Sequence, residues 1–319
     1  MARYGITLSS FTEPLHALGP SLREIPDLGF QDIWSNENYM LDAFTPLAVA
    51  SVHAPSCRLG LGIAQAYTRG AAILAMSIAG LCQAAPGRVI AGIGASTKII
   101  VENWNGVPYE KPYSRVRDTI TFLKAALAGE KVDEEYETFT VKRFRLHAKI
   151  EQPPPLVIGA VRPKMLELSG SHADGAVVAN VSAEDMKQIV PHVKKHNPNA
   201  EIICTVYVAP NQERDKVRTM WKAALNEYMN APGYAAAQEW MGHGDELREC
   251  WAKWKERDRQ GAAEAIPDHF IDSLVAHGSM EEVREKVQRY VDNGVDTVVI
   301  DMVPGVVDAM EAARGLAPK

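Results

Sequence analysis

Eight short apolar, β-branched runs recur along this chain, and each is followed by a stretch with helical spacing. That alternation constrains the fold more than any other feature, because strands separated by helical crossovers pair in parallel and need helices to cover their sheet. The runs are Tyr4 to Leu8, Asp32 to Ser35, Arg58 to Ile63, Val89 to Gly94, Leu156 to Ala160, Gly175 to Asn180, Ile202 to Val208 and Thr297 to Met302. Spread over 319 residues they give about 40 residues per unit, which fits one α/β domain, a (β/α)8 TIM barrel spanning 1–319. An open doubly wound sheet is the alternative.

Helix ends are readable in places. Ser279-Met280-Glu281-Glu282 has the form of a capping box, Val283, Val287 and Val291 make an apolar stripe behind it, and Asn293-Gly294 supplies a left-handed stop before the last strand. Pro112 to Leu127 carries Val116, Ile120, Leu123 and Leu127 on one face and ends at Gly129. Two stretches break the rhythm. Residues 129–155, charged and then holding Pro153-Pro154-Pro155, predict an excursion such as a hairpin. Residues 210–278, with Trp221, Trp240, Trp251 and Trp254 among helix formers, predict a helical insertion between strands seven and eight, a subdomain or a lid over the barrel mouth.

Composition excludes several classes. A net charge of −6 argues against a nucleic-acid partner, which needs a basic face. The start Met-Ala-Arg-Tyr-Gly-Ile-Thr lacks the apolar run of a signal peptide, and no later run of about 18 apolar residues offers a membrane span, so a cytoplasmic protein with no membrane partner is expected. Cys57, Cys82, Cys204 and Cys250 lie far apart without paired spacing, and no His-x-His pair follows a strand, so neither disulfide nor metal is expected.

In such barrels chemistry sits at the C-terminal ends of the strands. After strand four, Gly92-Ile93-Gly94-Ala95-Ser96-Thr97-Lys98 offers glycines for close backbone approach, then hydroxyls and a cation suited to phosphate oxygens. A tight strand-to-helix turn would use the same residues. After strand five, Gly159-Ala160-Val161-Arg162-Pro163-Lys164 places two cations at a helix start, where they oppose the helix dipole unless an anion lies nearby; snorkelling to water is the other reading. After strand two, Ser35-Asn36-Glu37-Asn38-Tyr39 sets a carboxylate and an amide where a ring could be oriented by hydrogen bonds; a solvated loop is the other reading.

Together these segments resemble the luciferase-like monooxygenase superfamily, and within it the coenzyme F420-dependent oxidoreductases of the tetrahydromethanopterin reductase-like branch. The resemblance rests on Leu59-Gly60-Leu61-Gly62-Ile63 with Tyr67-Thr68-Arg69, and on Gly92 to Thr97 followed by Glu102, Trp104, Gly106-Val107-Pro108 and Glu110-Lys111-Pro112. Leu156 to Leu168, Ala173-Asp174-Gly175, Tyr290-Val291-Asp292 and Gly294-Val295-Asp296-Thr297 extend it. It implies a deazaflavin ring across the barrel mouth, backed by a bulge with a cis bond at Gly62-Ile63 and by Ala64, flanked by Glu37, Asn38 and Asn180. It implies a tail held by Gly94, Ala95, Ser96, Thr97 and Lys98 together with Gly159, Val161, Arg162 and Lys164, the cations Arg69, Lys98, Arg162 and Lys164 attracting its acidic end. Many members place a histidine where this chain has Asn38, and an amide binds but does not titrate, which leaves Glu37 as the candidate acid or base. The activity implied is hydride transfer between F420 and a small organic substrate, in a homodimer. An FMN-dependent monooxygenase on the same barrel and a non-catalytic flavin-binding protein are the alternatives.

Overall fold

A computed structural model describes residues 2–37, 40–303 and 306–318. Its strands are β1 (Arg3–Thr7), β2 (Asp32–Ser35), β3 (Arg58–Gln65), β4 (Val89–Gly94), β5 (Lys131–Glu135), β6 (Thr140–Arg145), β7 (Leu156–Gly159), β8 (Gly175–Val178), β9 (Glu201–Pro210), β10 (Val275–Gly278) and β11 (Thr297–Met302). Among the described residues, eight of these close a parallel barrel in the order β9-β11-β1-β2-β3-β4-β7-β8, with β8 pairing back to β9. The open-sheet alternative is thereby set aside. Each barrel strand overlaps the run expected from sequence, although Leu8 lies in a 3-10 turn and Ala160 and Asn180 lie beyond their strands.

The excursion at 129–155 contains an antiparallel hairpin, β5 against β6, whose Phe139 and Phe144 pack on Phe122 of the helix Pro112–Leu127. The segment 210–278 is helical over Arg214–Asn230, Pro232–Met241, Gly244–Lys255, Arg259–Glu264 and Asp268–Leu274. It is not helical to its end. Val275–Gly278 forms β10, paired to Tyr207–Pro210, because the ten-residue β9 runs past its barrel partner β8 and leaves backbone groups to satisfy. The Ser279 capping box is formed, with Val283 and Val287 buried and Gly294 at φ +95°.

Strand alternation divides the core in two. Outward residues such as Ile6, Ile33, Leu59, Ile93, Ile158, Ile202 and Ile300 pack under the helices. Inward residues fill the barrel axis in layers. The floor, at the N-terminal ends of the strands, is ionic. Asp32 is fully buried and accepts from Arg3 and Arg58 at 2.5 Å each, and Arg58 reaches on to Glu201 at 2.6 Å. Thr297 also donates to Glu201. Burial alone would raise the Glu201 carboxyl, but hydrogen bonds from Arg58 and Thr297 outweigh it and hold the group below its ordinary value. Above this floor lies an apolar layer of Trp34, Ile90, Val157, Val177, Ile203 and Val299. Trp34 fits because Gly60 has no side chain; a Cβ there would lie 2.3 Å from the indole ring.

Candidate active site

The barrel mouth is built above that apolar layer. Between Leu61 and Ala64, three steps along β3 match two along β4, so the strand carries one extra residue, and the Gly62–Ile63 peptide bond is cis. The bulge turns Ile63 out of the barrel wall and onto the lumen cluster. Its side chain lies against the backbone of β4 and β7: a Cβ on Gly94 would come within 2.8 Å of it, and one on Gly159 within 3.2 Å. Glycine at these two positions is therefore what gives the isoleucine its seat. Ala64, in contrast, is buried with the outward core.

The Glu37 side chain comes to the same rim but is fully engaged. One carboxylate oxygen pairs with Arg69 and the other accepts the Gln65 backbone N–H at 3.1 Å. The Gln65 amide returns a bond to the Glu37 carbonyl at 3.1 Å, and the Glu37 N–H donates to Ile63 at 3.2 Å. Glu37 thus clamps the bulge. Asn38 lies outside the described residues.

The loop after β4 runs through Gly94, Ala95, Ser96 and Thr97 into a π-helical turn, Ile99–Trp104, rather than a regular helix. Ser96 takes φ +63°, a conformation that costs a non-glycine residue about 1 kcal/mol or more. Its carbonyl accepts the Tyr109 hydroxyl at 3.1 Å. The Tyr109 ring in turn meets Tyr67, after β3, at 5.2 Å. After β7, Arg162 caps the helix Pro163–His172 and Lys164 lies in its first turn, both exposed. Arg162 is close enough to Tyr109 that its charge opposes the rise that burial imposes on that phenol.

The four cations grouped at the sequence level separate here. Arg69 is neutralised by Glu37 and faces Asp42 at 3.7 Å, and Lys98 pairs with Glu102 at 3.3 Å. Arg162 and Lys164 have no ion-pair partner among the described residues. The anion-seeking charge of the mouth is therefore narrower than the sequence suggests, and sits at one helix start.

Asn180, just past β8, also has positive φ, +61°, and is buried. Its side chain accepts the Tyr207 hydroxyl at 3.2 Å, and its carbonyl accepts from Gln238 at 2.9 Å. Tyr207, on β9, packs against Trp221 with ring centroids 4.5 Å apart and the planes tilted by 48°. The inserted helices thus touch the C-terminal ends of the barrel strands. His243 bonds Asp185 at 2.9 Å and Glu246 at 2.6 Å, tying the insertion to the loop after β8. Asp185 is the first cause of the raised His243 pKa.

One mouth residue was not expected. Asp301 of β11 follows Val299 inward and has no ion-pair partner among the described residues. Burial pushes its carboxyl up to about 7, because the Ser9 and Ser10 hydroxyls that reach it, at 3.5 and 3.4 Å, compensate poorly. The available signal was parity: in Thr297-Val298-Val299-Ile300-Asp301 the carboxylate falls on the same face as Val299. Among the described residues, no group of three or more His, Cys, Asp and Glu is placed to hold a metal ion. No described helix is long and apolar enough to cross a membrane.

The family model for luciferase-like monooxygenases matches residues 3–297. The chain belongs to that family and is an enzyme. It is 32% identical over 203 residues to a 5,10-methylenetetrahydromethanopterin reductase of Methanolobus tindarius, a match spanning 62% of each chain. It is 24% identical over 286 residues to the reductase of the same name from Archaeoglobus fulgidus, covering 86% of this chain and 85% of that one. The fold matches that of the coenzyme F420-dependent tetrahydromethanopterin reductase from Methanopyrus kandleri with a TM-score of 0.81 at 21% identity, over 99% and 97% of the two chains.

Proposed function

We propose that this protein is an oxidoreductase that moves a hydride between the deazaflavin coenzyme F420 and a small organic substrate. The observation that carries the proposal is the pairing of a flat apolar seat with a local excess of positive charge. Ile63 rests on Gly94 and Gly159, and Arg162 and Lys164 stand at the adjoining helix start with no counter-ion among the described residues. A tricyclic ring with a multiply anionic tail satisfies both features. The cofactor supplies the hydride chemistry when bound, and the protein supplies position and electrostatics.

Gly62 and Ile63 would back the ring, whereas Ala64, expected beside them, is turned to the outward core. Gly94, Ala95, Ser96 and Thr97, with Gly159, Val161, Arg162 and Lys164, would hold the tail, while Lys98 is engaged by Glu102. Glu37 holds the Ile63 bulge through Arg69 and Gln65, so we assign it to positioning the ring, with Asn38 orienting ring or substrate and Asn180 bounding the pocket. The inserted helices would cover the mouth and gate the substrate, supported by the contacts of Trp221 with Tyr207 and of Gln238 with Asn180. A homodimer is supported by the exposed apolar side chains Val52, Ile73 and Met76 on the helices Phe44–His53 and Ala71–Ala84.

The two reductase relatives make 5,10-methylenetetrahydromethanopterin the first substrate to try. The expected result is loss of that compound coupled one-to-one to oxidation of reduced F420, followed by the return of F420 absorbance. Reduced FMN supporting turnover where reduced F420 does not would overturn the assignment.

A further inference from the structure

We propose that Asp301 is the acid that protonates the substrate during reduction, at the barrel mouth above the apolar layer on which Ile63 also packs; the proposal rests on the hydride-transfer reading above. Three observations place it there. Strand alternation puts Asp301 directly above Val299, which packs in the same lumen cluster on which Ile63 sits. In the sheet it stands beside Tyr207, at the level where the inserted helices meet the barrel. Ser10, whose hydroxyl reaches Asp301 at 3.4 Å, also lines a cavity of about 310 Å³ bordered by Thr12, Glu13 and Met310.

The surroundings push this carboxyl up to about 7, so that a substantial fraction carries a proton at neutral pH. Among the described residues, the groups facing it are the Ser9 and Ser10 hydroxyls from the segment after β1, the Met302 backbone N–H and the Tyr207 phenol from β9. None carries positive charge, the serine contacts are long, and the Ser10 oxygen is committed to the Met302 N–H at 2.9 Å. By contrast both carboxylate oxygens of Glu37 are engaged, by the Arg69 guanidinium and the Gln65 N–H. The fit is to substrates with a polarised C=O or C=N bond. Their reduction adds a hydride, carrying two electrons, from the reduced deazaflavin to carbon, and a proton to the heteroatom. Asp301 would deliver that proton as its O–H bond breaks, be left as a carboxylate, and regain a proton from solvent before the next turn.

The experiment uses the full chain and its D301N variant, in which a neutral amide replaces a group of the same shape. First, protein free of cofactor and labelled with 13C at aspartate carboxyls is titrated by NMR. One carboxyl should titrate near pH 7 and be missing from D301N; Asp301 titrating near 4 would overturn the proposal. Second, F420 affinity is measured by fluorescence and should be unchanged within about twofold. Third, reduction of 5,10-methylenetetrahydromethanopterin by reduced F420 should decline above neutral pH in the wild type, and in D301N should fall by about 10²–10⁴-fold and lose that decline. D301N with wild-type rate and pH profile would overturn the role of Asp301 and leave the cofactor assignment standing. A wild-type protein that binds no F420 would remove the reaction, and the proposed role with it.

Discussion

The two ends of the barrel use charge in opposite ways. At the floor, Arg3, Arg58, Asp32, Glu201 and Thr297 satisfy one another inside a few ångströms. At the mouth, Arg162 and Lys164 lack ion-pair partners among the described residues and Asp301 is left to two long hydroxyl contacts. A paired, buried cluster at the floor closes the N-terminal end of the barrel and belongs to the fold. Exposed cations without partners beside a glycine-lined seat are not required by the fold and suit an anionic ligand. The difference teaches where to look for function before any substrate is known.

The sharpest way to break the comparison is at the floor. R58M leaves Asp32 and Glu201 buried without their shared cation and should cost about 3–5 kcal/mol in denaturant unfolding, while F420 affinity of the folded fraction stays near wild type. Its pH dependence has a definite sign. Glu201 is held below its ordinary value of 4.5 in the folded state, so its contribution is complete above that value and is lost as pH falls through the folded pKa. The stability gap between wild type and R58M should therefore narrow in acid, and a gap that widens would contradict the pairing.

At the mouth the order of effects reverses. I63A removes the seat while the lumen layer beneath it stays packed, and should weaken F420 binding by about 1–2 kcal/mol. Ile63 is only partly buried, so its thermal unfolding should shift less than the several kcal/mol typical of core truncations. Equal loss of stability and binding would make Ile63 a wall residue. The smallest effects belong to the tail site. R162A and K164A should each cost about 1 kcal/mol of F420 affinity, roughly fivefold, with no change in unfolding and with the loss shrinking as salt is raised.

Much of this architecture is legible in the sequence because alternation and turn chemistry are local. Every barrel strand lies within two residues of its apolar run, and the Ser279 capping box needs only four consecutive residues. β10 is not legible, since Val275-Ala276-His277-Gly278 becomes a strand only through the overhang of β9. The site divides the same way. Gly62, Ile63, Gly94 and Gly159 can be read from motif and from the needs of close backbone approach. That Arg69 and Lys98 spend their charge on Glu37 and Glu102 depends on side chains brought together by folding. Asp301 became visible only once closure of the barrel fixed which face of β11 looks inward.

The most direct test of the account is equilibrium competition between F420 and FMN for the purified protein, followed by absorbance and fluorescence at low and high salt. The account predicts that F420 binds more tightly, that its advantage falls as salt rises, and that R162A and K164A shrink the advantage further. FMN binding as tightly as F420 or tighter, with no salt dependence of the difference, would contradict it.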